Sequence, residues 1–101
     1  MLAVTRFRVP DEETESWLAL AREALDALSR RPGFVRARLG RAPDEPSSWV
    51  MSTEWEGVGA YRRALSSYDV KLRVTEVFHR AVHEAGAFDV VVSLDQGEGS
   101  T

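Results

Sequence analysis

Apolar residues recur at three- and four-residue spacing from Trp17 to Leu28: Trp17, Leu18, Ala21, Ala24, Leu25 and Leu28 form one stripe along a helix. A helix that is apolar on one side only must be covered by another element, so the stripe constrains everything around it. What flanks it has period two. Leu2 to Val9 is short, β-branched and aromatic, and Pro10 ends it, which predicts a strand. Asp11 is placed to cap the helix that follows, with Glu12, Glu13 and Glu15 at the positive end of its dipole. Arg30 and Arg31 occupy its last turn, and Pro32-Gly33 stops it. Val35 to Leu39 alternates with Arg36 and Arg38, APDEPSS is turn chemistry, and Trp49 to Glu56 alternates again, so the two runs form a hairpin. Helical spacing returns from Val58 to about Ala85 in two parts, broken near SSYD, and Phe88 to Leu94 reads as a fourth strand.

The order β-α-β-β-α-β predicts an α+β, ferredoxin-like fold: an antiparallel sheet with two helices on one face and nothing on the other. Residues 1–95 form one domain and 96–101 a flexible C-terminal tail. Alternation sorts the strands into two sets. Ala3, Thr5, Phe7, Val9, Val35, Ala37, Leu39, Trp49, Met51, Thr53 and Trp55 are the more apolar and belong under the helices. Leu2, Val4, Arg6, Arg8, Arg36, Arg38, Val50, Ser52, Glu54 and Glu56 belong to the bare face. That face suits either solvent or the inside of a homodimer in which arginines of one strand meet glutamates of another.

Composition removes several functions. A net charge of −3 gives no footprint for nucleic acid. With no cysteine, thiolate catalysis, disulfides and iron–sulfur chemistry are excluded. No run approaches the ~18 apolar residues of a membrane span, and the start MLAVTRFRV is too short and too interrupted by arginine for a signal peptide, which gives a cytoplasmic expectation. No phosphate loop, nucleophile elbow or dinucleotide fingerprint is present.

The stretch EWEGVGAYRRALSS, Glu54 to Ser67, joins a strand to a weakened helix and spends a tryptophan and two glycines at the junction. Together with PGF at 32–34 and S-S-Y at 66–68, the W-E-G-x-x-A-Y run at 55–61 resembles the antibiotic biosynthesis monooxygenase family. The resemblance spans residues 1 to about 95 and implies a dimeric α+β barrel, the group that also holds anthrone and quinol monooxygenases and haem-degrading enzymes. It implies a cleft between sheet and helices that takes a small aromatic molecule and molecular oxygen, without a cofactor. Trp55 and Tyr61 fall on pocket residues of the family, and Thr5 and Met51 on polar positions of its relatives. As a bare aromatic pair, Trp55 and Tyr61 fit a core equally well. Gly57 and Gly59 are expected to turn the backbone sharply and leave space beside the indole.

The chain departs from its relatives where a base or haem ligand would stand. Met51 replaces an asparagine of some oxidases; Thr5, Ala64 and Val74 replace the asparagine, tryptophan and histidine of haem-degrading relatives, and Ala64 also replaces a quinol-oxidase histidine. Haem degradation is therefore not expected. His79 and His83 are four apart beside Glu76 and Glu84, yet no third ligand is placed by motif, so no metal site is assigned. Either histidine is a candidate proton acceptor, and Arg73 a candidate for a substrate phenolate or for a carboxylate neighbour. Two functions follow: a cofactor-independent monooxygenase of quinol- or anthrone-type substrates, or a non-catalytic ligand-binding or assembly module on the same fold.

Overall fold

The computed structural model describes residues 1–82 and 86–96. Strand β1 is Leu2–Arg8, followed by a 3-10 turn at Asp11–Glu13 and helix α1, Thr14–Ser29. Strands β2, Phe34–Arg41, and β3, Ser48–Trp55, form the hairpin; α2, Val58–Ser66, and α3, Tyr68–Phe78, precede β4, Gly86–Phe88. The sheet order is β2-β3-β1-β4 with every pairing antiparallel, the ferredoxin-like arrangement with its second helix split in two. The split falls at Ser67, whose extended backbone (ψ 135°) interrupts the helical ladder.

Helix α1 buries Trp17, Ala21, Ala24, Ala27 and Leu28; of the expected stripe Leu18 and Leu25 are only half-buried, and Ala27 is added. The Trp17 indole Nε1 donates to the Val77 carbonyl at 3.2 Å, which ties α1 to α3. Asp11 does not cap α1. It opens the 3-10 turn, and no side-chain capping bond is made at either start; Thr14 instead donates its hydroxyl to the Pro10 carbonyl at 3.3 Å. Arg80 of the segment after α3 pairs with Glu13 of that turn.

Alternation places β1 and β3 as expected, with Ala3, Thr5, Phe7, Trp49, Met51, Thr53 and Trp55 buried under the helices. The expectation fails at Val35. A bulge sets Phe34 opposite Trp55 and Arg36 opposite Glu54, so Val35 is the extra residue and is 45% exposed. Phe34 takes the place beneath the helices that the alternation gave to Val35. The bulge follows the Gly33 turn, where φ is +87° and a Cβ would overlap that of Ala60. Glycine is needed there twice over, for its left-handed backbone and for the close approach of α2.

The C-terminal third also differs from expectation. Helix α3 stops at Phe78 rather than near residue 85, and the chain is already beside β1 by Arg80: Arg8 N–H donates to Arg80 O, and Val82 N–H to Arg6 O, each at 3.0 Å. The exposed edge of β1 offers unpaired backbone groups, and these capture the chain earlier than helical spacing indicates. Strand β4 then pairs Gly86 with Val4 and Phe88 with Leu2, where β1 begins. It shares only Phe88 with the expected strand at 88–94, and Asp89–Asp95 forms no element. No helix among the described residues is long and apolar enough to cross a membrane.

Candidate active site

Two buried clusters fill the space between sheet and helices. One gathers Phe7, Val9, Trp17, Ala21, Ala24, Trp49, Met51 and Val77; the other gathers Ala27, Leu28, Trp55, Ala60, Ala64 and Val70. Where they meet, a cavity of about 20 Å³ remains. Its floor is Ala3 and Thr5 of β1 with Met51 and Thr53 of β3, neighbours in register. Its roof is Leu28 of α1, Tyr61 and Leu65 of α2, and Val74 and Phe78 of α3. A void of that size holds about one water-sized molecule.

Three of the expected site residues, Thr5, Met51 and Tyr61, line this cavity. Trp55 stands behind it. The indole is 2% exposed, donates from Nε1 to Thr53 Oγ1 at 2.9 Å, and meets the Tyr61 ring at 5.9 Å between centroids and Phe34 edge-on at 5.4 Å. Its backbone is also held, since Trp55 N–H donates to Met1 O at 2.9 Å and the Met1 ammonium donates to Trp55 O at 3.0 Å. Trp55 is thus a fixed wall that sets the position of Tyr61. Thr53 escaped the sequence reading as a site residue, although its place on the buried face was expected; its hydroxyl is what orients the indole.

Tyr61 lies in the first turns of α2, its N–H donating to Gly57 O at 3.3 Å. Burial raises the phenol's pKa above its ordinary value, because the phenolate would lose hydration. Among the described residues the Tyr61 hydroxyl has no hydrogen-bond partner, so its proton is available to a guest. Among the described residues no carboxylate, imidazole, amine or guanidinium lines the cavity. Ala64, on the position where relatives carry tryptophan or histidine, is buried in the second cluster, and Val74 presents an apolar wall.

Arg73 and His79 are elsewhere. The Arg73 guanidinium is held on the outer surface by Glu23 at 2.9 Å and Asp69 at 3.2 Å, so the carboxylate-neighbour alternative describes it. His79 is exposed at the end of α3, with Nδ1 against the Glu76 carbonyl. His83 and Glu84 lie outside the described residues, and among the described residues no three His, Asp or Glu side chains gather as metal ligands. The glycine corner is also corrected. Gly57 is extended (φ −170°), a conformation open to any residue, and a Cβ on it would touch nothing within 4 Å. A Cβ on Gly59 would meet only the flexible end of Arg63.

The architecture has counterparts among known proteins. SnoaB, a cofactor-independent oxygenase from Streptomyces nogalater, is 29% identical over 92% of this chain and 94% of its own, with a TM-score of 0.81; a point mutant of SnoaB superposes with a TM-score of 0.82. A conserved protein from Methanosarcina mazei Go1 shares the fold at 15% identity, over 84% of each chain, with a TM-score of 0.73. No curated protein matches the sequence. The family model for antibiotic biosynthesis monooxygenases matches residues 1–85, and this chain belongs to that family.

Proposed function

We propose that the protein is a cofactor-independent monooxygenase that oxidises a small quinol- or anthrone-type aromatic with dioxygen in the cavity beneath Tyr61. The observation that carries this reading is the Tyr61 phenol, whose pKa burial raises and which has no partner among the described residues, in a lining of mostly apolar side chains. The likeness to SnoaB, described as a cofactor-independent oxygenase, supports the same reaction class.

The chemistry needs no reductant. A substrate CH2 between aromatic rings loses a proton, and the resulting carbanion gives its electrons to dioxygen as a C–O bond forms. The peroxide takes up a proton and loses water, leaving a ring carbonyl; one oxygen atom enters the product and the other leaves as water. Tyr61 donates its hydrogen bond to the substrate oxygen on which the carbanion's charge collects, in a site from which water is displaced. Met51, Val74 and Phe78 supply the dry walls, and Trp55 keeps the phenol in position. Among the described residues the lining holds no base, so the reading favours a substrate whose proton is already acidic.

Benzene occupies an apolar cavity of about 150 Å³, so an aromatic substrate requires the roof to lift from its present span. Helix α2 is the short element of that roof, bounded by the extended Ser67. The small void and the missing base favour a second reading, a non-catalytic ligand-binding module. Oxygen uptake with a panel of hydroquinones and anthrones, without added cofactor, tests both. Consumption above the uncatalysed rate supports the oxygenase; tight binding without consumption supports the module.

A further inference from the structure

Two threonines form the polar part of the cavity floor, and their hydroxyls are not equivalent. Thr5 and Thr53 are 4% and 5% exposed, and both border the void beside Tyr61. In register Thr5 faces Met51 and Thr53 faces Ala3, which sets the threonines diagonally across β1 and β3 beneath the helices. A hydroxyl has one proton to give and two lone pairs to receive with, whereas an indole N–H can only donate. Trp55 Nε1 donates to Thr53 Oγ1 at 2.9 Å, so the Thr53 proton cannot point at the indole. Among the described residues no acceptor receives it. A buried donor left without an acceptor is costly, and the arrangement calls for an oxygen from outside the chain.

The Tyr61 hydroxyl has the same surplus. It lacks a partner among the described residues, and burial disfavours its phenolate, so it too offers a proton. Both hydroxyls border a void of about 20 Å³, room for one oxygen and not for an aromatic ring. We propose that this void is an oxyanion seat in which the Thr53 hydroxyl, together with that of Tyr61, donates to one substrate oxygen. Thr53 is then a second catalytic donor, and the Trp55 indole aims it. A hydroxyl that accepts one hydrogen bond also gives its own more strongly. The seat takes the phenolic or enolic oxygen of an aromatic substrate, whose rings lie under the lifted roof. Among the described residues no cation lines the void, so charge collecting on that oxygen is held by neutral donors, and two hold it better than one.

The inference rests on the oxygenase reading for its chemistry, but its test reads binding rather than turnover. The probes are 4-nitrophenol and 2-hydroxyanthraquinone, whose colour reports ionisation of the oxygen that enters the seat and which carry no CH2 to oxidise. Burial raises the pH at which a bound phenol ionises, and donors to its oxygen lower it. At saturation the probe should therefore ionise about one pH unit higher in Thr53→Val than in the wild type. Thr53→Ser, which keeps the hydroxyl, should restore the wild-type value. Thr53→Val also strands the indole N–H, so the comparison is repeated in a Tyr61→Phe chain, where a tilted ring has no hydroxyl to misplace. There Thr53→Val should still raise the ionisation pH. Should Thr53→Val fail to fold, both chains carry Trp55→Phe, which removes the stranded N–H. No rise in the Tyr61→Phe chain makes Thr53 a mere support of Tyr61 and overturns the inference. So does a Thr53→Ser chain that behaves as Thr53→Val, or a wild type that binds neither probe. Oxygen uptake without an effect of Thr53 on the probe removes the seat alone. The effect on the probe without uptake removes the oxygenase and leaves the seat as the polar end of a binding module.

Discussion

The two halves of the core use aromatic rings to different ends. Around Trp17, ring meets ring: Phe7 at 5.1 Å, Trp49 at 5.3 Å, and Phe78 against Phe7 at 5.4 Å. Around Trp55 the helices contribute Ala27, Ala60 and Ala64, which bring backbones close, and the indole is tied to Thr53 by a hydrogen bond while the Tyr61 hydroxyl is left without a partner among the described residues. Interlocked rings fill the centre of the first half, and such packing tolerates little change. The second half trades bulk for placement, and the cavity opens along its border. One layered architecture therefore holds a rigid end and an end with an unused phenol.

Removing the ring from the rigid end should have the largest effect. Trp17→Ala should cost about 3–5 kcal/mol in urea unfolding, because the cavity it leaves is walled by other rings. Trp55→Ala should also lower stability but additionally weaken binding of an aromatic ligand, since Tyr61 loses its support. Equal loss of ligand affinity in the two variants would erase the contrast between the halves. Tyr61→Phe comes next. It keeps the ring and should lower turnover by ~10²-fold with little change in Tm if the hydroxyl acts mainly in the transition state. Unchanged turnover with a loss of up to ~1 kcal/mol of stability would make it a structural tyrosine. The same variant has a pH signature. Because burial raises the folded phenol's pKa, Tyr61's contribution to stability is complete below its ordinary value of about 10 and is lost as pH rises past it; Tyr61→Phe should lessen the alkaline loss.

Smaller changes probe the same border. Thr53→Val keeps the shape but leaves the indole N–H buried without an acceptor, and should cost about 1–3 kcal/mol by thermal or chemical melt. It should also blunt the activity that Tyr61 supports, because the indole is then free to tilt. Smallest of all is Glu54→Gln. The Arg36–Glu54 pair, 3.1 Å apart, lies within one sheet on the open face and is partly solvated. Its loss should cost less than ~1 kcal/mol in single-chain stability. A larger loss confined to dimer dissociation would assign Glu54 to a contact between copies.

What could be read from the residues followed the strength of their period. The stripe of α1 and the alternation of β1 and β3 are long enough to tell inside from outside without the rest of the molecule. The exchange of Phe34 for Val35 was not readable, because a one-residue bulge depends on the Gly33 turn meeting Ala60, 27 residues further on in α2. The end of α3 was misread for a similar reason: helix-forming residues near 80 are recruited by backbone groups of β1, and local spacing carries no trace of that edge. At the site, Thr5 and Met51 came only from the resemblance to the family; strand register sets them side by side with Tyr61 at the cavity, and Trp55 packs behind Tyr61. Arg73 depended on Glu23, fifty residues earlier, and so its outward pairing was beyond any local pattern.

The bulge in β2 also bears on how the length of the chain can change. Between Phe34 and Arg36 the strand carries one residue more than its partner uses. Deleting Val35 would leave Phe34 opposite Trp55 and Arg36 opposite Glu54, consecutive and still on opposite faces. Deleting one residue anywhere from Ala37 to Gly40 would turn one side of the strand over, sending arginines toward the core. In this strand, tolerance to a single-residue deletion is concentrated at one position. Homologues that differ by one residue in the hairpin's first arm should place their gap there.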